Sequence, residues 1–252
     1  LFTLSQMETF FNIRYEFDPQ AVHGEIWQAV SQGKTGYICV ADANILSLVH
    51  RNADYRRTVD EALLSICDSS WVPVFLRCLY GIRRPHYCGA QIFRDLVSSG
   101  HYRMAFLGGN AQVLHSLRAA IAPWNPAVAA MPFMELPFLP AEQFDYRAIA
   151  GELNASGVQI IWVALGAPKQ EQFMQHLLPH LSHGVMIGVG AVFNFYSGHI
   201  RRAPAWLRTL RLEFLYRILK EPRKQLSRCL GITASLPAIL LEEKSRQIPT
   251  AS

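Results

Sequence analysis

Short apolar runs rich in β-branched residues alternate with helical patterns along this chain, and this alternation constrains the fold more than any other feature. Four runs end at small or turn-forming residues: Gly36–Val40, Met104–Leu107, Gln159–Leu165 and Val185–Val189. Runs of this length, separated by segments long enough for a helix, predict parallel strands joined by helical crossovers. The sequence therefore predicts an α/β fold with a doubly wound, mostly parallel sheet flanked by helices.

Helical patterns fill the segments between and after these runs. The predicted helices cover Asn44–His50, Tyr55–Ser65, Gln91–Ser98, Ala111–Ile121, Gln170–His176 and Ala205–Lys220. In doubly wound sheets, ligands bind beyond the carboxyl ends of the strands. We therefore expect the functional residues directly after each apolar run.

The composition is that of a folded protein in a reducing compartment. Half of the 252 residues are apolar, which is enough to bury a sizeable core. The five cysteines are odd in number and lack metal-ligand spacing, so we expect no structural metal. The late apolar stretch Leu230–Leu241 is about twelve residues long and contains Pro237, short of the roughly twenty residues that cross a bilayer.

Positive charge is concentrated near the C-terminus. Between Arg201 and Arg228, nine Lys and Arg stand against two Glu, a local charge of +7, which leaves −2 for the rest of a chain of net charge +5. This segment indicates a polyanionic partner, although a solvated helix face would have the same composition. No base-reading or stacking arrangement accompanies it, so we expect no nucleic acid. The change in charge predicts a main domain over 1–200 and an appendage over 201–252.

Two glycine motifs follow predicted strands. Gly108-Gly109-Asn110 precedes a helical pattern and could turn backbone N–H groups towards a phosphate, but a tight turn without a ligand explains it nearly as well. The segment 188–193, GVGAVF, imitates a dinucleotide fingerprint, yet Phe193 replaces its third glycine and no convincing ribose-binding acid follows. A nicotinamide cofactor is therefore not expected.

The segment 164–171, ALGAPKQE, is the most informative of the motifs. Gly166 and Pro168 shape a turn at a strand end, and Lys169, Gln170 and Glu171 then arrive together at the start of a helix. Three adjacent polar side chains at this place indicate a binding site. The alternative is that Glu171 complements the helix dipole and Lys169 is solvated.

The order and spacing of the motifs resemble those of the WecG/TagA/CpsF glycosyltransferases. The matching segments are LGG at 107–109, GAPKQE at 166–171, GVGAVFNFYSG at 188–198, RAPAW at 202–206, LEFLYR at 212–217 and EPR at 221–223. The resemblance implies a Rossmann-like fold with a C-terminal helical appendage that associates with membranes. It also implies a peripheral enzyme at the cytoplasmic face of the bacterial inner membrane.

The reaction implied by the resemblance is an inverting sugar transfer that needs neither metal nor cofactor. A hexose or N-acetylhexosamine, of the N-acetylmannosamine type or related, would pass from a UDP-sugar to a polyprenyl-diphosphate-linked acceptor. Such transfers build bacterial surface polysaccharide or teichoic acid. The sequence leaves open which sugar is donated and whether the chain forms a homo-oligomer.

Family positions carry over to this chain one by one. The family's Thr-x-Asn segment reads Asp42-Ala43-Asn44, so Asn44 matches and Asp42 replaces the threonine. The family's Asp-Gly turn reads Asp68-Ser69, which makes Asp68 the candidate general base for the acceptor hydroxyl. The alternative is that Asp68 caps a helix beginning near Ser69.

The donor site implied by the resemblance combines strand-end residues with two appendage arginines that would close over the diphosphate. Its predicted members are Asp42, Asn44, Gly108, Gly109, Gln170, Glu171, Arg217 and Arg223. His86 and Gln91 stand where the family has an arginine and an acid. These changes keep a second hypothesis open: a catalytically impaired nucleotide-sugar-binding or membrane-scaffold protein of the same fold.

The appendage has the pattern of an amphipathic helix. Apolar residues at helical spacing are Leu207, Leu210, Phe214 and Ile218, and a basic stripe contains Arg217, Lys220 and Lys224. Such a helix can lie in an anionic membrane interface. Packing of its apolar face on the main domain is the alternative.

Overall fold

The protein is built around an eight-stranded sheet in the part of the chain that the computed structural model describes, residues 7–201, 203–204, 207, 212, 216, 218–219 and 222–246. The strands are β1 Glu8–Phe10, β2 Ile13–Glu16, β3 Thr35–Ala41, β4 Leu64–Cys67, β5 Met104–Leu107, β6 Phe133–Met134, β7 Ile160–Val163 and β8 Gly184–Gly188. Their order is β1-β2-β4-β3-β8-β7-β5-β6. Only the β1–β2 pair is antiparallel, so the predicted, mostly parallel α/β sheet is confirmed.

Helices connect the strands and cover both faces of the sheet. They are α1 Pro19–Ser31, α2 Ala43–Arg51, α3 Ala53–Asp60, α4 Val72–Tyr80, α5 Gly89–Ser99, α6 Ala111–Ile121, α7 Tyr146–Ser156, α8 Lys169–Leu177, α9 Val192–Tyr196 and α10 Pro222–Ser245. Short 3-10 helices lie at Pro126–Ala130, Ala141–Gln143 and Leu178–His180.

The side chains of β3 alternate between two hydrophobic layers. Tyr37, Cys39 and Ala41 belong to the layer that includes residues of α2, α3, α7 and α8, whereas Ile38 and Val40 belong to the layer that includes residues of α1, α5, α6 and α9. A strand buried on both faces requires apolar residues at both positions of its two-residue period. Because helices cover both faces of the sheet, the strand ends are left for ligands.

The predicted helix over Tyr55–Ser65 is wrong in its second half. Helix α3 ends at Asp60, and the run Leu64–Cys67 is strand β4, whose residues are all buried between β2 and β3. A four-residue apolar run has no periodicity that separates a buried strand from a helix end. The hairpin β1–β2 and α1 precede every predicted element and were also missed.

The C-terminal helix α10 packs along α2. The hydroxyls of Ser47 and Ser235 are 2.8 Å apart, and the Ser47 hydroxyl also donates to the backbone oxygen of Gly231 at 3.2 Å. The predicted helix over Ala205–Lys220 falls mainly outside the described residues, and the boundary at Arg201 stays a prediction. None of the helices in the described ranges has the length and apolarity needed to cross a membrane.

Candidate donor and acceptor site

The carboxyl ends of five neighbouring parallel strands meet along one edge of the sheet, which we call the carboxyl edge. In the order of the sheet, the loops after β4, β3, β8, β7 and β5 carry Asp68, Asp42, Gly190, Gly166 and Gly108. The loops come from distant parts of the sequence and are neighbours only because the sheet orders them. This edge is where the sequence predicts the functional residues of the main domain.

Asp42 links the end of β3 to the start of α2. Its Oδ1 accepts hydrogen bonds from the backbone N–H groups of Asn44 and Ile45, both at 2.9 Å, and thus caps α2. Asn44 is half-buried in the first turn. Across the described ranges its side-chain amide forms no hydrogen bond, so it can serve a ligand at the carboxyl edge.

Asp68 is half-buried after β4 and is tied to the start of α5. Its Oδ1 accepts a hydrogen bond from the backbone N–H of Gly89 at 2.7 Å, and its backbone oxygen accepts one from Nε2 of His86 at 2.8 Å. The alternative role, capping a helix that begins near Ser69, has the wrong partner. Helix α4 begins only at Val72, and the Asp68 carboxylate instead accepts from Gly89, the first residue of α5.

His86 and Gln91, two of the positions that depart from the family pattern, both stabilise the chain around Asp68. His86 donates to the Asp68 backbone, and Oε1 of Gln91 accepts from the backbone N–H of Cys88 at 3.1 Å as part of a capping box on α5. Neither change leaves a buried polar group without a partner. His86 and Gln91 therefore form hydrogen bonds that hold the chain around Asp68 in place.

The loops after β5 and β7 contact each other through Gly108. Its φ is 105°, and a Cβ at this position would lie 2.9 Å from the backbone oxygen of Ala164. Only glycine allows both that backbone conformation and this close approach. Asn110 caps α6 by accepting from the backbone N–H of Val113 at 2.9 Å, which makes a tight strand-to-helix turn.

Gln170 and Glu171 are buried at the start of α8, with 3% and 0% of their surface exposed. Oε1 of Gln170 accepts from the backbone N–H groups of Gly166 at 3.1 Å and Gly190 at 2.9 Å. Nε2 of Gln170 donates to Oε1 of Glu171 at 2.7 Å, and the hydroxyl of Tyr55 donates to Oε2 of Glu171 at 2.9 Å. A chain of hydrogen bonds thus runs from α3 to two loops of the carboxyl edge.

Burial sets the ionisation of Glu171. The loss of hydration raises the pKa of Glu171 to about 7, and the nearby charge of Asp42 acts in the same direction. Hydrogen bonds from Gln170 and Tyr55 oppose the shift because they stabilise the carboxylate. The carboxyl group of Glu171 is thus poised between its two protonation states near neutral pH.

Lys169 points towards aromatic rings beside the same loops. Its Nζ lies 5.0 Å from the ring centre of Phe138 and 5.1 Å from that of Phe144. Partial burial lowers the pKa of Lys169. Phe138 is fully exposed, so this ring and the ammonium group form a surface next to the carboxyl edge.

Two residues of this region were not singled out from the sequence. In the sequence, Tyr55 is only one residue of a predicted helix. Its hydrogen bond to Glu171 depends on how α3 packs against α8. Arg228, counted within the basic segment, is half-buried on α10, and its guanidinium lies 3.5 Å from the backbone oxygen of Ala167 in the β7–α8 loop. The appendage therefore contacts the carboxyl edge through a cation.

The two predicted appendage arginines are not tested by these contacts. Arg217 lies outside the described residues, as does the side chain of Arg223. Within the described ranges, no group of three or more His, Cys, Asp or Glu side chains is arranged to hold a metal ion.

The arrangement suits the transfer of a group from a nucleotide. A carboxylate that accepts from a backbone N–H, the Gly108-Gly109 turn and an arginine lie along one edge, where a base, a phosphate-facing turn and a charge partner would be needed. The sequence model described as "Glycosyl transferase WecG/TagA/CpsF family" matches residues 9–248, nearly the whole chain.

Proposed function

The chain belongs to the WecG/TagA/CpsF glycosyltransferase family, and we propose that it moves a sugar from a UDP-sugar to a polyprenyl-diphosphate-linked acceptor. The sugar would be a hexose or N-acetylhexosamine, such as one of the N-acetylmannosamine type. The observation that carries the proposal is Asp68, a carboxylate held at the carboxyl edge among the glycine loops. The product would enter bacterial surface polysaccharide or teichoic acid synthesis.

Asp68 is the proposed general base. Its carboxylate takes the proton of the acceptor hydroxyl as the hydroxyl oxygen bonds to the anomeric carbon. The bond from that carbon to the donor diphosphate breaks at the same time, UDP departs with the electron pair, and the anomeric configuration inverts. The hydrogen bond from the backbone N–H of Gly89 fixes one carboxylate oxygen and so sets the direction of the carboxyl group.

Cationic side chains of the appendage would stabilise the departing UDP. Arg228 already contacts the β7–α8 loop, and we add it to the proposed pair Arg217 and Arg223. Guanidinium groups bind phosphate oxygens through charge-assisted hydrogen bonds that strengthen as negative charge develops. In this proposal arginines replace a divalent metal ion, and Asn44 with the Gly108-Gly109 turn holds the nucleotide.

The basic segment also supports a peripheral position at the cytoplasmic face of the inner membrane. A lipid-linked acceptor presents its diphosphate at the membrane surface, and an appendage with a local charge of +7 is attracted to anionic headgroups. The described apolar residues Leu226 and Leu230 are exposed on α10 and would contact lipid. The partners proposed are thus the donor, the acceptor and the membrane surface.

Release of UDP tests the proposal. The purified protein is incubated with a lipid-diphosphate-sugar acceptor and a panel of UDP-sugars, with and without EDTA. We expect UDP release with one class of UDP-sugar, and we expect EDTA to leave the rate unchanged. Tight UDP binding without turnover would favour the catalytically impaired binding protein, and loss of activity in EDTA that Mn²⁺ restores would contradict transfer without metal.

A further inference from the structure

The loops that follow β7 and β8 are joined through one buried side chain. Gln170 accepts the backbone N–H of Gly166 in the β7–α8 loop and that of Gly190 in the β8–α9 loop with the same oxygen atom. These N–H groups are thereby satisfied within the protein. The side-chain oxygen of Gln170 therefore holds loop to loop across the carboxyl edge.

This contact requires one orientation of the Gln170 amide. If the amide were rotated by half a turn, its NH₂ group would face two N–H donors and both hydrogen bonds would be lost. Glu171 prevents this because its Oε1 accepts from Nε2 of Gln170 at 2.7 Å, and Tyr55 holds the carboxyl group through Oε2 at 2.9 Å. The Gln170 side chain, which faces the loops, is thus oriented by Glu171 and Tyr55.

The end of strand β8 also leaves room for the Gln170 amide. Gly188 ends β8, and a Cβ there would lie 3.0 Å from Nε2 and 3.1 Å from Cδ of Gln170. Since Gly188 has no side chain, the amide can lie directly against the strand. Burial of Glu171 removes water as an alternative partner for the carboxyl group.

We propose that Gln170 is a positioning residue, oriented by Glu171 and Tyr55, which holds the β7–α8 and β8–α9 loops in the arrangement that receives the donor nucleotide. Only the statement that these loops receive the donor nucleotide rests on the proposed function. Gln170 and Glu171 then serve donor binding through the loops rather than through direct contact with the sugar. Tyr55, on α3, contributes to the same positioning through its hydrogen bond to Glu171.

The hydrogen bond from Gln170 survives either protonation state of Glu171. With the proton on Oε2, the carboxyl group donates to Tyr55 while Oε1 still accepts from Gln170. The groups that influence this carboxyl are Tyr55 on α3, Tyr37 and Cys39 on β3, and Asp42 at the start of α2. Because the hydrogen bond from Gln170 persists in both protonation states, we expect the loop contacts to change little as Glu171 titrates.

Backbone hydrogen exchange tests the loop positions independently of activity. Glu171→Leu should speed exchange about tenfold or more in peptides covering 164–170 and 188–193, and Glu171→Gln should not, because its amide can accept from Gln170 and donate to Tyr55. Tyr55→Phe serves as a gentler variant if Glu171→Leu folds poorly, with an intermediate effect. Exchange at wild-type rates in both disruptive variants would overturn the proposal whatever the enzyme transfers.

The matched control is Gln175→Leu. Gln175 also joins α8 to α3, accepting from Thr58 at 2.8 Å and donating to Glu61 at 2.7 Å, but it lies away from the loops. We expect normal loop exchange in this variant. Faster exchange of the two loops in Gln175→Leu as well would mean that general loosening of α8, and not the Gln170 amide, controls them.

Kinetics test the link to donor binding. For Glu171→Leu we expect kcat/KM for the UDP-sugar to fall by roughly 10²-fold, mainly through KM, and for Glu171→Gln to recover most of it. Gln170→Glu places two carboxyl groups 2.7 Å apart, so its kcat/KM should fall as pH rises and their shared proton is lost. A pH profile of Gln170→Glu that matches the wild type would contradict the positioning role, whereas a wild type without turnover would contradict only the proposed function.

Discussion

At the scale of single residues, Asp68 combines a structural contact with a proposed chemical role. Its Oδ1 accepts from the N–H of Gly89 at the start of α5, a contact that an amide oxygen would preserve. Taking the proton of an acceptor hydroxyl, by contrast, needs a carboxylate. The two roles can therefore be separated by changing one atom.

We predict that Asp68→Asn lowers turnover by on the order of 10²–10⁴-fold while UDP affinity and thermal stability change little. The rate of UDP release, calorimetric titration with UDP and the unfolding midpoint measure the three quantities. Asp18→Asn is the control, because Asp18 is an exposed cap on α1 that accepts from Gln20 at 3.0 Å. A rate near that of the wild type in Asp68→Asn would remove Asp68 from the mechanism.

Gly188 shows how closely α8 packs against β8. A Cβ there would lie 2.9 Å from Cε of Met174 in addition to its approach to Gln170. We predict that Gly188→Ala lowers the free energy of unfolding by about 1–3 kcal/mol, since the core must shift to make room. Gly151→Ala, in α7 with nothing within 4 Å, should instead be neutral or stabilising. Equal effects of the two substitutions in urea unfolding would contradict this explanation.

At the scale of elements, α10 stabilises the N-terminal hairpin. The two-residue turn of β1–β2 has positive φ at both Phe11 and Asn12, the type I′ geometry that usually selects Asn-Gly. Glu243, only 3% exposed, accepts from the backbone N–H of Phe11 at 2.8 Å and from the hydroxyl of Tyr80 at 2.6 Å. Glu243 thus ties the end of α10 to the hairpin and to α4.

We predict that Glu243→Ala costs about 1–3 kcal/mol of unfolding free energy, because a buried N–H and a hydroxyl lose their acceptor. Urea unfolding gives the free energy, and limited proteolysis should show earlier cleavage near the C-terminus. Lys244→Ala changes the exposed neighbour on the same helix and should have little effect. Identical stabilities would show that α10 is held without the Glu243 contacts.

At the scale of the whole molecule, the distribution of charge separates the C-terminal segment from the rest of the chain more clearly than the packing does. The segment from Arg201 to Arg228 carries +7, the remainder −2, and α10 nevertheless packs on α2 through serine and glycine contacts. Arg228 connects the segment to the carboxyl edge. One appendage would therefore serve both the membrane and the donor.

We predict that Lys220→Gln with Lys224→Gln weakens binding to anionic liposomes by about tenfold or more, since each basic residue near such a surface contributes roughly 1 kcal/mol. Co-sedimentation at low and high salt measures the effect, which salt should reduce. Lys34→Gln with Arg147→Gln removes the same charge from exposed positions of the main domain and is the matched control. Equal losses for the two pairs would mean that total charge, not the appendage, governs attachment.

The sequence by itself determined the fold class and predicted the edge of the sheet at which the candidate site lies. The predicted strand over Met104–Leu107 has the bounds observed, and those over Gly36–Val40 and Val185–Val189 differ by one residue at each end. These features are encoded in short windows, because apolar periodicity and turn-forming glycines act locally. Local sequence patterns are therefore sufficient to predict that the strand-end glycines and acids lie at one edge of the sheet.

Only the tertiary structure decided which residues meet there. Strand β4 exists because β2 and β3 pair with it on both sides, and Tyr55 reaches Glu171 because α3 packs against α8, 116 residues away along the chain. Asp68 bonds to the start of α5 rather than to the helix that follows it in sequence. Partners so distant in sequence leave no periodic signal in any local window, and only burial of the whole core brings them within hydrogen-bonding distance.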